Sequence, residues 1–307
     1  MNPYTYAVAT SRNHGIVSPQ GQELLKHALI AVAGCGGAGG STAVELARLG
    51  VGKFRLADPD HMDISNLNRQ EGAFMSTAGV NKAETIAKII KDINPEAEVE
   101  VYSMGITEEN VEAFLTGASL GLEEIDYRAP WYTRLVHITA QRLQIPLMTG
   151  IPIAWNAFTF LFDYTDPNCM SFDEYTGLKP EKLKADDFRS YDIKLTAYIP
   201  ELPLYIKGSV VKEVLAEKID IPCVSPAIAL AAAQTSAFAY FFLTKERPVK
   251  SIPHYYATGD LYQKPASIVG SYLQNIVKHL KKTVRVTRHA DNRHMEAIQK
   301  ELNEQGK

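Results

Sequence analysis

The sequence predicts an α/β fold: a Rossmann-like, doubly wound, mainly parallel sheet with an antiparallel extension and a crossover or lid region. Three observations predict it. Short apolar runs alternate with segments of helical periodicity through the first half of the chain. A glycine-rich turn, GCGGAG at 34–39, joins the first run to the first helix after it. An acid, Asp58, closes the second run about 20 residues beyond the turn, the register of a dinucleotide-type opening.

Each element follows from its pattern. Residues 21–33, GQELLKHALIAVA, end in an apolar run that reads as a buried parallel strand. In STAVELARLG, Val44, Leu46, Ala47 and Leu49 recur at helical spacing, and Gly50 stops the helix. FRLAD at 54–58 is a second strand. VNKAETIAKIIKDI at 80–93 repeats the helical pattern through Ile86, Ile89, Ile90 and Ile93. It ends at Asn94-Pro95, because a residue before proline is pushed out of helical space. EVEVYSM at 98–104 reads as a third strand, ENVEAFL at 109–115 as a short helix, and ASLGLEEID at 118–126 as a weakly patterned fourth strand. A helix at 131–143 and the strand PLMTGI at 146–151 complete the alternation. Such repetition implies parallel strands with helices on both faces.

The pattern changes beyond about residue 152. AFTFLFDY reads as a strand of an antiparallel extension, and residues 165–222 are rich in Pro, Asp, Tyr and Lys with few long periodic segments. Residues 225–243, SPAIALAAAQTSAFAYFFL, carry no charge and are just long enough to span a bilayer. Gln234, Thr235 and Ser236 sit in the middle, so the segment reads as a buried core or interface helix. IPHYYA is a further strand, and the chain from Ser271 is amphipathic and basic. The predicted organisation is a nucleotide-binding core over 1–164 and a crossover or lid over 165–224. A helix and strand of the same domain return over 225–262, and a C-terminal basic amphipathic helix or tail covers 263–307.

Composition bounds the rest. With 46% hydrophobic and 22% charged residues, the chain is a globular protein with a substantial core. A net charge of −3 gives no field that favours nucleic acid or an anionic membrane. The first residues show no basic segment followed by an apolar one, so no secretory signal is expected. Cys35, Cys169 and Cys223 lie far apart with no CxxC pair, which argues against a four-cysteine zinc site and a disulfide framework. A cytoplasmic location is expected, with no zinc, no membrane association and no nucleic-acid partner.

Chemistry concentrates between residues 34 and 82. Gly34, Gly36 and Gly39, with Gly37 between them, fit G-x-G-x-x-G. Glycine permits the tight turn and lets backbone amides approach phosphate oxygens at a helix N-terminus. Asp58 stands where a carboxylate hydrogen-bonds ribose hydroxyls. The loop alone suits NAD, FAD or another nucleotide, and its plain alternative is a turn that packs helix on strand. Ser65-Asn66-Leu67-Asn68-Arg69-Gln70 discriminates further. Arginine offers a planar fork for phosphate oxygens, asparagine a neutral donor, and Lys82, at a helix start, a point charge. Three such donors suit a triphosphate better than the diphosphate of a redox cofactor, although Lys82 by itself is an ordinary surface residue.

Together, GCGGAGG, D58-P-D60 with S65-N66-L67-N68-R69-Q70, G79-V-N-K82 and I93-N94-P95 resemble the ThiF/MoeB/HesA family, adenylating enzymes related to the ubiquitin-activating enzyme. The similarity runs from about Ser11 to Leu161 and resumes weakly in 226–243. The resemblance implies that ATP and Mg²⁺ adenylate a carboxylate. The usual substrate is the C-terminus of a ubiquitin-like or sulfur-carrier protein, with a peptide or a modified tRNA base as further options. It implies that Asp58 holds the ribose, that Asp60 belongs to the same cofactor-binding set and that Asn66, Arg69 and Lys82 bind phosphates. Gln70 would order the loop, Asp126 at the end of the fourth strand would bind magnesium, and Arg134 follows at the family's spacing. It also implies a homodimer in which an N-terminal arginine reaches the neighbouring nucleotide.

The chain departs from the family in two places. The fourth strand reads GLEEID, with Glu123 where a first aspartate is expected. The finger motif is replaced by S11-R12-N13-H14-G15-I16, where Arg12 is favoured over a mostly neutral His14. Cys169 and Cys223 flank the irregular region without a motif match and read as packing residues, as does Cys35. Two other classes stay open at this point. One is an NAD- or FAD-dependent oxidoreductase, which leaves SNLNRQ and Lys82 unexplained. The other is a non-catalytic pseudo-enzyme that binds a ubiquitin-like partner.

Overall fold

The glycine turn and its flanking strands organise a seven-stranded sheet of order β3-β2-β1-β4-β5-β6-β7. The computed structural model describes residues 4–126, 128–179, 200, 205–216 and 218–259. The strands are β1 Leu29–Ala33, β2 Lys53–Ala57, β3 Glu98–Tyr102, β4 Leu120–Glu123, β5 Leu147–Ile153, β6 Asn156–Phe162 and β7 Tyr255–Ala257. β1 to β5 pair in parallel, while β6 and β7 join antiparallel. This is the expected architecture, with the extension where AFTFLFDY and IPHYYA predicted it.

The helices are α1 Tyr6–Ala9, α2 Pro19–His27, α3 Gly37–Leu49, α4 Lys82–Ile93, α5 Val111–Leu115, α6 Pro130–Leu143, α7 Phe172–Thr176, α8 Gly208–Leu215 and α9 Ser225–Thr244. The two-residue period of the strands sorts the core into two layers. Ile30 and Val32 of β1 face a cluster with α3, α4 and α9, while Ala31 and Ala33 face the opposite cluster with α5, α6 and α7. Small residues on that second face leave room for Phe114, Phe158 and Phe162.

By contact density the chain forms two units, Met1–Tyr198 with Pro222–Gly259, and Ile199–Ile221 with Asp260–Lys307. The first holds the sheet. In the second, the described residues form α8, and the predicted C-terminal helix lies outside the described residues. Helix α9 is long and apolar enough to cross a membrane by length and composition. One side of it, with Ala227, Ile228, Ala231, Thr235 and Ala239, is buried in the first unit.

Three expectations need correction. Helix α2 occupies residues read only as the approach to a strand; Ser18 caps it by accepting from the Gly21 amide, and Pro19 opens it. β3 stops at Tyr102 rather than continuing to residue 104. β4 stops at Glu123, so Asp126 lies three residues beyond the strand and not at its end. After the Glu124 amide bonds Ala33 at 2.8 Å, side-chain carboxylates take over the hydrogen bonds that a longer strand would make.

The order places a topological switch beside β1. The chain moves outward through β2 and β3, then returns to β4 on the other side, opening a crevice above the carboxyl ends of β1 and β4. Two glycines make that crevice possible. Gly34 has φ +100°, and a β-carbon there would lie 2.3 Å from the Glu124 carbonyl oxygen; one on Gly39 would lie 1.9 Å from the Gly34 carbonyl oxygen. Gly39→Ala is therefore expected to lower the unfolding free energy by about 3 kcal/mol through overpacking. Gly36→Ala, whose β-carbon would meet nothing nearer than Gln70 Nε2 at 3.8 Å, should cost less than about 1 kcal/mol. Equal urea midpoints for the two variants would contradict this packing.

Candidate nucleotide and active site

The turn after β1 is held from beneath by β2. The Gly34 amide donates to the Ala57 carbonyl at 2.8 Å. Asp58 then spans two loops: its Oδ2 accepts from the Cys35 amide at 2.7 Å and its Oδ1 from the Asp60 amide at 2.8 Å. Asp58 is 6% exposed, and burial pushes its carboxyl above the ordinary range while those amides and the Lys82 charge pull it down. Each oxygen keeps a second lone pair, so the carboxylate can still accept from a ribose hydroxyl.

The segment 58–82 doubles back as a broad loop. Asn81 closes it by donating to the carbonyls of Asp58, Asp60 and Ser103 at 2.8, 3.1 and 3.2 Å. Its Oδ1 caps α4 at the Glu84 amide, and Lys82 follows as the first helical residue. Lys82 Nζ lies 2.9 Å from Asp60 Oδ2, with the lysine largely buried and the carboxylate 68% exposed. Such a pair contributes at most about 1 kcal/mol and leaves the ammonium able to turn to another anion.

Ser65–Gln70 folds onto the glycine turn. Asp63 and Asn66 form a capping box, in which the Asp63 amide donates to Asn66 Oδ1 at 3.0 Å. Arg69 Nη1 donates to the Ser65 carbonyl and to Asn68 Oδ1, both at 2.9 Å. The Arg69 carbonyl lies 3.9 Å from where a β-carbon on Gly37 would sit. Gln70 Oε1 is buried without a hydrogen-bond partner. The structure thus brings Asp58, Arg69 and Gln70 to the glycine turn that opens α3, links Asp60 and Lys82 to it through Asp58, and leaves Asn66 in the adjoining capping box. Backbone amides at the α3 N-terminus favour an anion.

Asp126 arrives from the other side. Its turn abuts the glycine loop through the Glu124 carbonyl. Its carboxylate accepts from the Arg128 amide, Nε and Nη2 at 2.9, 3.1 and 3.2 Å, and both side chains are about half exposed. Among the described residues no three His, Cys, Asp or Glu side chains cluster to cage a metal. One exposed carboxylate beside a phosphate loop fits Mg²⁺, which relies on substrate phosphates and water for most of its ligands. Arg134 does not join this group; it makes a bidentate pair with Asp173 of α7 at 2.9–3.1 Å.

Arg12 is not brought in either. It sits exposed on a short 3₁₀ turn, and the adjacent Asn13 donates to the Leu49 carbonyl at the far end of α3. The 13 residues of α3 put roughly 20 Å between that end and the phosphate turn. Sequence reasoning missed Asn81, Glu124 and Arg128. The asparagine ahead of Lys82 carries a visible signal, an N-cap residue at a helix start. The other two have none, because their partners lie on a neighbouring strand or within an irregular turn.

Comparison with known proteins shows the family. A family model described as the ThiF family matches residues 10–279. The chain is 33% identical over 206 residues to the tRNA threonylcarbamoyladenosine dehydratase of Bacillus subtilis, covering 66% of this chain and 79% of that protein. It is 34% identical over 134 residues to the sulfur carrier protein adenylyltransferase of Thermus thermophilus, covering 44% of this chain and 49% of that protein. The chain thus spans about half the length of the Thermus relative. Escherichia coli MccB crystallised with AMPCPP and MccA superposes with TM-score 0.62 at 20% identity, over 85% of this chain and 72% of that one.

All three cysteines are free thiols. Burial pushes the Cys169 thiol up to about 11 and also raises Cys223, although the Arg69 charge pulls the latter down. A raised thiol holds less thiolate at neutral pH. At pH 7.5 both should alkylate with iodoacetamide more than about tenfold slower than the urea-unfolded chain. Cys223 reacting faster than in the unfolded chain would mark it as an activated nucleophile instead.

Proposed function

This chain belongs to the ThiF family of adenylating enzymes, and from that premise we propose that it activates a carboxylate with ATP and Mg²⁺. The observation that carries the reading is the approach of Arg69 and Gln70 to the glycine turn, with Lys82 on Asp60, whose amide shares the Asp58 carboxylate with that turn. A substrate carboxylate oxygen attacks the α-phosphorus, the bond to the β-phosphate oxygen breaks, and pyrophosphate leaves with an acyl-adenylate formed. The α3 amides, Asn66, Arg69 and Lys82 hold the phosphates, and Asp58 holds the ribose. Asp126 would hold Mg²⁺, which supplies charge neutralisation at the phosphates when bound. Arg128 gives up its share of that carboxylate on loading.

For the carboxylate, the first reading is the C-terminus of a ubiquitin-like or sulfur-carrier protein or of a peptide. A second reading has its own support: the Bacillus relative, matched over most of its length, is named for a carboxylate-bearing tRNA nucleoside. Carboxylate-dependent ATP–pyrophosphate exchange separates the two. A carrier ending in Gly-Gly stimulates it under the first, and tRNA bearing threonylcarbamoyladenosine under the second.

Nucleotide choice is the simplest test. At about 100 times its dissociation constant a ligand adds roughly 2.7 kcal/mol to stability. ATP with Mg²⁺ should raise the melting temperature clearly and NAD should not, and Arg69→Ala should abolish most of the shift. An equal or larger shift from NAD contradicts the reading.

Arg12 acts in this proposal on the site of a second copy. The distance along α3 excludes its own site, and exposed Val8, Ile16 and Leu24 on the same N-terminal region supply an apolar contact surface. Arg12→Ala and Asp126→Ala should each lose on the order of a hundredfold in exchange rate, equivalent to about 3 kcal/mol. Mixed and subunit-exchanged, they should recover part of the activity, because one site of the heterodimer is intact. Full activity of Arg12→Ala alone, or no recovery on mixing, contradicts a finger in trans.

A further inference from the structure

Glu123 stands where a site aspartate was expected, yet it faces away from the nucleotide crevice. It is 1% exposed at the end of β4. Its Oε1 accepts from the Ile125 amide at 3.2 Å and from the Thr133 hydroxyl at 3.0 Å. Thr133 lies in the first turn of α6 and is 2% exposed. One carboxylate oxygen therefore ties the peptide before Asp126 to the helix that follows Asp126. On either side of Asp126 the chain is also held by the Glu124 amide on the Ala33 carbonyl and the Ala129 amide on the Asp126 carbonyl, both at 2.8 Å.

The far side of Glu123 is also braced. Its Oε2 lies 3.8 Å from His137 Nε2, which has no hydrogen-bond partner. His137 Nδ1 bonds the Tyr164 hydroxyl at 2.8 Å, and its ring stacks on Phe172 at 4.1 Å between centroids. Burial holds His137 below its ordinary range, against the opposite pull of Glu123 and Asp173. A buried acid beside a second acid, Glu124, costs stability unless its oxygens are well bonded. Replacing a longer strand by this arrangement needs a reason, and holding the next carboxylate still is the one that the geometry supplies.

We propose that Glu123, through Ile125 and Thr133, is the positioning residue that sets the Asp126 carboxylate for the metal-bound nucleotide. This rests on the reading of Asp126 as the magnesium residue. Groups that orient a metal ligand typically contribute 10- to 100-fold in metal affinity. Among the described residues no three ligating side chains cluster around Asp126, so the effect of its misplacement should fall on Mg²⁺ and spare the bare nucleotide.

The test titrates a fluorescent ATP analogue with and without Mg²⁺, and scores exchange activity in parallel. Glu123→Gln perturbs a buried acid, so Thr133→Val and Thr133→Ser accompany it: valine keeps the shape and removes the hydroxyl, serine restores it. Glu123→Gln and Thr133→Val should raise the Mg²⁺ half-saturation about tenfold, with metal-free nucleotide affinity within about twofold and Thr133→Ser close to the parent. Folded Glu123→Gln and Thr133→Val proteins with parental Mg²⁺ dependence would overturn the proposal. So would equal loss of nucleotide affinity with and without metal, the mark of a merely structural role. Asp126→Ala separates the two levels. If it leaves the Mg²⁺ titration unmoved, the assignment of Asp126 itself fails; if it shifts the titration while the Glu123 and Thr133 variants do not, only the positioning role fails.

Discussion

A single buried carboxylate holds the site together. Asp58 joins two loops, the glycine turn through Cys35 and the D-P-D turn through Asp60, beside the backbone bond from Gly34 to Ala57. Bonds from backbone amides to a charged acceptor contribute about 1.5–3 kcal/mol each, enough to offset the cost of burying one acid. Because the Asp60 backbone and carboxylate both meet Lys82, the same tie sets where α4 begins. Remove it, and the glycine turn, the D-P-D turn and Lys82 lose the tie they share.

The rest of the site is built on opposing charge. The α3 N-terminus favours an anion, and the cations Arg69 and Lys82 stand with the carboxylates of Asp58, Asp60 and Asp126 in the candidate site. Each cation is provisionally engaged: Lys82 by Asp60 and Arg69 by Ser65 and Asn68. Under the proposed function these contacts would yield to a polyphosphate, and holding the side chains in place beforehand lowers the ordering cost of binding. Arg128 plays the corresponding part for Asp126.

Much of this was legible in the chain. The alternating runs from Leu29 onward specify their strands because β1 is buried on both faces, and the glycine turn is readable because Gly34 and Gly39 have no room for a side chain. Ser65–Gln70 was legible through spacing alone. What escaped depends on contacts between distant residues. The end of β4 is set by carboxylates of Glu123 and Glu124 bonding α6 and β5, which no local pattern encodes. Helix α2 carried its cap and proline in plain view but was masked by the apolar run behind it. Arg12 could be picked out as a cation, but its placement at the wrong end of α3 needed the fold.

The central claim is that the oxygen chemistry occurs at the α-phosphorus. It is tested most directly with whichever substrate supports pyrophosphate exchange, its carboxylate labelled with ¹⁸O, followed through transfer of the acyl group. Attack by the carboxylate on the α-phosphorus predicts that each AMP released carries one ¹⁸O, with none in pyrophosphate. Label in inorganic phosphate with formation of ADP, or AMP free of label, would contradict adenylation.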